Sequence, residues 1–460
     1  MDVYRLYENE NEYADMDWEK CAEHLAGYIR CVTVSHIDPS KTDYREFDKL
    51  HELIRQNYPH IMKKAEYQEI GHNILIKIPG TDSSLKPAMF IAHQDVVPVT
   101  PNTEKEWTYP PYSGEIADGF IFGRGSLDIK GMLAGFLESA EYLLAHGHLF
   151  RRTVYLAFGE DEEVKNTGSK TMGQYLKSQG IELEYVWDES GRIRDGACYG
   201  APGIVIGEIG MYEKGYADLS FTAHAAGGHS SMPFYGTSLG KLADAISAVT
   251  GNPLPAVLPQ SCRDALRALK PYITEEPLLT YVQDIDTYRE EIIAYYRQNK
   301  DLFNLVQTTA APTMITEGAA AGNVMPGDMR AVINFRLIPE DTVEKLLAHC
   351  REVVDPKIEV DTVQAINASK PGNHKSYGFE QLVSSLNHFF PEIRFIPSAN
   401  ATSTDSHNYE CICACCMRFT PFIQEPELID SGIHGTDERL SLRAYKQGIR
   451  AMIRMMETTC

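Results

Sequence analysis

Two histidines, His93 and His434, and a scattered set of acids, Asp128, Glu162, Glu163 and Asp188, are the residues of this chain best suited to chemistry. Imidazole nitrogen and carboxylate oxygen together suit a divalent transition metal. Zinc fits first, with cobalt or manganese accommodated because affinity alone does not select the ion. Two imidazoles with four or five carboxylates can hold two cations that share one ligand, and leave an acid free to act as general base. That inventory points to metal-assisted hydrolysis.

Each of these residues sits beside a short apolar run. His93-Gln94-Asp95 follows Ala88–Ala92, Asp161-Glu162-Glu163 follows Val154–Phe158, and Asp188 follows Tyr185–Trp187. Asp128 lies within Gly123–Gly131, and His434 between Ile433 and Gly435. Short apolar runs at 73–78, 88–92, 153–158 and 184–187 read as buried strands. Helical periodicity marks 132–145 and 169–179, after opening helices within 15–33 and 47–58. Strands alternating with helices predict an α/β fold with a mostly parallel, buried sheet. Such sheets carry their sites at the carboxyl ends of strands, where His93, Glu162, Glu163 and Asp188 all fall.

Local geometry narrows the roles. Asp128, in a glycine-flanked turn that lets backbone pack closely, is the expected bridge between two cations. Asp95, two residues past His93, can accept the second ring N–H and fix the tautomer. Glu162 and Glu163 cannot both face the same way on extended backbone. One can ligate while the other reaches a water, and spacing alone leaves the order open.

The pattern changes after Glu213-Lys214-Gly215. Residues 216–224 and 329–337 alternate like half-exposed strands, and 239–249 and 342–353 read as helices. A separate α+β domain with one open sheet face is expected here. A polar stretch at 251–309 lies inside it, with a helix over 288–298. Helix restarts at 377–390, and His434 follows. The expected division is 1–212 and 370–460 as two parts of a catalytic domain, with 213–369 inserted between them.

Composition sets limits. A chain of 460 residues exceeds one small core. A formal charge of −21 argues against nucleic acid or an anionic membrane surface as partner. No apolar run approaches the roughly 20 residues of a membrane span, and the first residues carry no basic-then-apolar export pattern. Ten cysteines then read as reduced thiols in a cytoplasm. The run Cys411–Cys416 reads as a buried strand, because no second ligand pair follows Cys413 and Cys416 at zinc-site spacing.

Five motifs in this order carry a resemblance: His93-x-Asp95, Gly123-Arg-Gly-x-x-Asp128-x-Lys-Gly131, Asp161-Glu-Glu163, Trp187-Asp-Glu189 and Ile433-His-Gly435. Over nearly the whole chain, they resemble the aminoacylase-1/glutamate carboxypeptidase family of dinuclear zinc hydrolases. The resemblance implies a zinc-exopeptidase-like catalytic domain with an inserted ferredoxin-like lid and dimerisation domain. It makes Glu162 the general base and Glu163 a ligand. One metal would take His93, Asp128 and Asp188, and the other Asp128, Glu163 and His434.

Within the insert, Gly227–Pro233 resembles the family segment whose histidine, here His229, stabilises the oxyanion, often across a homodimer. Asn323–Pro326 and Asn334–Arg336 resemble segments whose asparagine and arginine, here Asn323 and Arg336, hold the substrate carboxylate. Read alone, His229 could equally be a surface histidine and Arg336 a rim ion-pair residue. Relatives often carry Thr-Asp-Ser-Arg where this chain has Thr404-Asp-Ser-His407, which puts carboxylate recognition at His407 in doubt. The implied reaction is hydrolysis of a peptide or N-acyl amide beside a free carboxylate, closest to the Gly-Xaa carboxypeptidase and N-acyl-amino-acid hydrolase branch. Alternatives are a succinyl-diaminopimelate desuccinylase type and a catalytically silent metal-binding scaffold.

Overall fold

The strand Ala88–His93 is buried at every position, as a continuous apolar run must be when both sheet faces are covered. In the computed structural model, which describes residues 7–316, 318, 321–400, 402–424 and 432–460, it lies inside a mixed sheet of nine strands. Val154–Gly159 and Tyr185–Asp188 flank it in parallel, and Cys416–Arg418 extends the parallel set. Antiparallel pairs take over outside. Asn73–Ile78 and Glu66–Ile70 close one side. On the other, Cys416–Arg418 meets Val205–Glu213 antiparallel, and Val205–Glu213 pairs in parallel with the edge strand Ile393–Asn400. The expected parallel sheet is thus the centre of a mixed one. Of the cysteine run, only Cys416 enters a strand, while Cys411 is exposed.

Helices cover this sheet. Lys130–Ala145 is buried nearly all round and packs against Leu442–Thr459 and Trp18–Ile29. Trp18–Ile29 begins where the Asp17 carboxylate accepts the Lys20 N–H at 3.1 Å, an N-cap worth about 1 kcal/mol. Its buried residues Cys21, Ala22, Leu25, Ala26 and Ile29 recur at helical spacing and form one face. Fully burying a leucine such as Leu25 contributes roughly 1.5–3 kcal/mol. None of the described helices is long and apolar enough to cross a membrane.

A second, smaller sheet consists of Thr309–Thr316, Met329–Leu337, Gly215–Ala223 and Ile358–Ile366, in that spatial order and antiparallel throughout. With helices Ser238–Gly251 and Val343–Val353 the chain order is βαββαβ. The first and third strands are central, which is the ferredoxin-like arrangement. This body has its own core, including Leu219, Phe221, Leu242, Ile333 and Leu346.

Within 252–308, Leu254 packs into that core, while the helices that follow it pack elsewhere. Helices Gln260–Leu269 and Arg289–Gln298 form a third cluster with Tyr199, Ile206 and Ile396 of the large sheet body. The reason is a helical stripe, Cys262, Ala265, Leu266 and Leu269, that needs an apolar partner and finds it on the edge strand Ile393–Asn400. Lys214, at the crossing between the two sheets, reinforces this docking. Its Nζ donates to the carbonyls of Asn304 at 2.5 Å and Gln307 at 3.2 Å.

Candidate metal centre

His93 ends the strand Ala88–His93, so its imidazole emerges at the carboxyl end of the parallel set. Its Nε2 lies 3.1 Å from Asp128 Oδ1 and 3.3 Å from Glu189 Oε1. Across the site, His434 Nε2 stands 3.0 Å from Asp128 Oδ2 and 3.2 Å from Glu163 Oε2. Two trios result, His93–Asp128–Glu189 and Asp128–Glu163–His434, each with ligand atoms within 4.8 Å of one another. Asp128 offers one oxygen to each side. Imidazole nitrogen with carboxylate oxygen is a donor set that fits divalent cations.

A glycine-rich turn and a distant acid position Asp128. Gly125 adopts φ +88°, and a Cβ there would meet Val96 Cγ1 at 2.7 Å. Glu438 Oε1 accepts the N–H groups of Gly125, Leu127 and Asp128 at 3.0, 2.9 and 3.1 Å. Its other oxygen accepts from Arg124 Nη1 at 2.6 Å. Lys130, buried behind the turn, donates to the carbonyls of Tyr28 and Cys31, and burial pulls its pKa down to about 8. Sequence reasoning missed Glu438. The available signal was Arg124, which needs an anionic partner if buried.

Asp95 is fully buried and ties three residues together. Its carboxylate accepts the N–H of Glu162 and of Glu163, each at 3.1 Å, and the Ser35 hydroxyl at 2.5 Å. His93 Nδ1 lies 3.0 Å from the Asp95 carbonyl and 3.4 Å from its carboxylate. Nδ1–H donating there leaves Nε2 as the ligand atom.

The expected ligand Asp188 belongs to neither trio. It is the last residue of its strand, and its carboxylate accepts the N–H of Glu189 and of Ser406, both at 2.8 Å. Successive side chains on extended backbone point to opposite faces. Asp188 therefore turns toward Thr404–Ser406, and Glu189 turns to His93.

Electrostatics follow from this crowding. Burial opposes ionisation of Asp128, but hydrogen bonds from His434 and His93 outweigh it and hold the carboxyl below its ordinary range. Burial raises Glu189 to about 8 and pushes Glu162 well above the usual carboxylate range. Hydrogen bonds to Asp128 and Glu163 raise His434 to about 10. Such a site holds protons until cations replace them.

A cavity of about 480 Å³ opens onto these groups, with Phe419, Phe422, Ile423 and Ile193 on its wall. Glu162 lines it, 4.0 Å from His93 Nε2, and belongs to neither trio. His229, Asn323 and Arg336 lie on the ferredoxin-like body and do not line this cavity. His229 and Asn323 are exposed, with His229 Nδ1 2.7 Å from Ser231 Oγ. The Arg336 guanidinium stacks 4.8 Å over the Tyr216 ring. His407 also stands outside the lining, 3.9 Å from Glu213 Oε2.

His93 at a strand end, with Asp128, Glu163 and His434 brought to it from turns, beside a ferredoxin-like insert, defines a metallohydrolase class of site. The chain belongs to peptidase family M20/M25/M40, which it matches over residues 89–458. Xenopus tropicalis N-fatty-acyl-amino acid synthase/hydrolase PM20D1 is 31% identical over 97% of this chain and 87% of its own length. A probable carboxypeptidase S-like 2 of Dictyostelium discoideum is 31% identical over 95% and 85%. Among solved structures, the M20 metallo-carboxypeptidase Sso-CP2 of Sulfolobus solfataricus shares the fold with a TM-score of 0.66 at 18% identity, covering 94% of this chain and 97% of that one. The protein is a metal-dependent hydrolase.

Proposed function

We propose that the protein hydrolyses an amide bond beside a free carboxylate, in an N-acyl amino acid or a small peptide. The observation that carries this reading is the pair of trios sharing Asp128, with Glu162 lining the same cavity outside both. His93, Asp128 and Glu189 would hold one divalent cation, and Asp128, Glu163 and His434 the other, with zinc suited to the donor set. Bound there, the cations supply Lewis acidity that brings water's pKa toward neutrality and polarises the carbonyl.

The chain's own residues do the rest. Glu162, half-buried beside His93, takes the proton of the attacking water and delivers it to the leaving amine. Asp95 keeps Glu162 in place through its backbone N–H and orients His93. The N-fatty-acyl-amino acid synthase/hydrolase and the carboxypeptidase S-like relative support an amide substrate with an amino-acid half. The apolar wall of Phe419, Phe422, Ile423 and Ile193 favours an apolar acyl group over a succinyl group, which carries a second charge.

We read 1–212 and 370–460 as the catalytic domain and 213–369 as the lid, with 252–308 bracing the catalytic sheet. His229, Asn323 and Arg336 are then lid residues that act when the lid, of this copy or of a partner in a homodimer, meets the cavity. Met232, Phe234 and Tyr235, exposed by 77, 87 and 83%, lie next to His229 and support such a contact. Ten free cysteines support a reducing compartment such as the cytoplasm.

Release of free amino acid from N-acyl amino acids and dipeptides, alongside elemental analysis, tests the reading. Metal-dependent release is the expected result. Two bound cations without turnover of any amide would make the chain a scaffold instead.

A further inference from the structure

A substrate with a free carboxylate needs a cation to receive it, and the guanidinium groups around the metal centre are mostly committed elsewhere. Arg124 is buried against Glu438. Arg418 is buried between Glu213 and Glu410, at 2.8 and 3.2 Å. Arg336 stacks on Tyr216, outside the cavity lining. Arg192 differs. It is exposed, lines the cavity, and is the only lysine or arginine among the described residues that does. Its guanidinium has no hydrogen-bond or ion-pair partner among the described residues.

We propose that Arg192 binds the substrate's α-carboxylate. This rests on the reading that the cavity takes an N-acyl amino acid or peptide.

The turn that carries Arg192 is built for placement. It begins at Glu189, 3.3 Å from His93, and Arg192 follows three residues later. Ser190 and Gly191 take positive φ, +87° and +77°, and kink the chain between Tyr185–Asp188 and the strand that Arg192 begins. A Cβ on Gly191 would meet Phe419 Cδ2 at 2.7 Å and the Glu208 carbonyl at 2.9 Å. Ser190 is held by Asn400 Oδ1 at 2.7 Å and Thr420 Oγ1 at 3.0 Å. Arg192 then starts a strand paired with Val205–Glu213, so its backbone is fixed.

Distance and charge agree with the role. Three residues span at most roughly 10 Å. In an α-amino acid amide, the carboxylate carbon lies about one residue length, ~4 Å, from the scissile carbonyl. A substrate carbonyl at the metal centre therefore puts its carboxylate within reach of an arginine side chain that starts three residues from Glu189. Asp128, Glu162, Glu163 and Glu189 also line the cavity. Two divalent cations would offset those four carboxylates, and Arg192 would then give the cavity the positive excess that an anionic substrate needs. Guanidinium also matches a carboxylate with paired hydrogen bonds.

The test compares Arg192→Ala and Arg192→Lys with the metal-loaded wild type, using an N-acyl amino acid and its carboxamide. Arg192→Ala should lower kcat/KM for the acid by roughly 10- to 100-fold, mainly through KM, and leave the carboxamide within about twofold. Arg192→Lys should recover part of the loss. Equal losses on both substrates, or no loss on the acid, would overturn the assignment. Calorimetric binding of a free amino acid and its amide gives a second readout. Wild type should prefer the acid, and Arg192→Ala should abolish the preference. A wild type that shows this preference yet cleaves no amide would sink the hydrolase reading and keep Arg192. Cleavage with no such preference would do the reverse.

Discussion

Arg124 and Glu438 are separated by 314 positions in the chain, yet their charged atoms lie 2.6 Å apart and both side chains are buried. This pair joins the turn that carries Asp128 to the segment that carries His434. Because Glu438 also accepts three N–H groups of that turn, removing it leaves a buried guanidinium and three unpaired donors. Glu438→Ala should cost about 3–5 kcal/mol of stability in denaturant unfolding. It should also weaken cation binding by roughly 10- to 100-fold in a metal titration. A variant with native stability and native metal affinity would show that the pair does not hold the bridge.

Asp188 and Glu189 make a matched comparison, being neighbours that face opposite ways. Glu189→Gln should lower the metal content from two cations per chain toward one, because an amide is a poor replacement for a carboxylate ligand. Asp188→Asn should retain both cations and instead lose stability, by about 1–3 kcal/mol, at the contact with Ser406. Elemental analysis of the two purified variants separates the cases. Loss of metal in Asp188→Asn alone would return the ligand role to Asp188.

That pair also shows where reading the sequence stops. The apolar runs before His93, Glu162 and Asp188 located three strand ends, because a strand buried on both faces must be apolar at nearly every position. Order along the chain then brought His93, Asp128, Glu163 and His434 within one set, and the structure places these four together. A run such as Tyr185–Trp187 does not say which of the next two acids faces inward. That choice depends on the sheet's faces and on Ser406, which is 218 positions away. Glu438 and Arg192 were missed for a similar reason, since each acts through a partner or a cavity distant in sequence. The segment 252–308 looked polar because only one stripe of its helices is apolar, and that stripe is matched to the edge strand Ile393–Asn400.

Proton bookkeeping at the metal centre gives a pH dependence. Without metal, His434 is raised to about 10 and Glu189 to about 8. Both therefore carry protons at neutral pH in the metal-free protein, and cations must displace them. Affinity should strengthen as pH rises through this range and weaken as it falls. Calorimetry in buffers of different ionisation enthalpy should record net proton release on metal binding at pH 7. Binding that neither releases protons nor changes with pH would contradict the protonated metal-free site.

The docking of 252–308 on the large sheet can be tested through Leu266, which is fully buried in that cluster. Leu266→Ala should destabilise the protein by about 2–5 kcal/mol. If the segment instead moved freely, unfolding midpoints would not change.

The central claim is that Glu162 moves the proton while Glu163, its neighbour, holds a cation. The most direct measurement is kcat together with bound metal in Glu162→Ala. The account predicts two cations per chain and a kcat lower by roughly 10²- to 10⁴-fold. Full activity in that variant, or loss of a cation from it, would contradict the account.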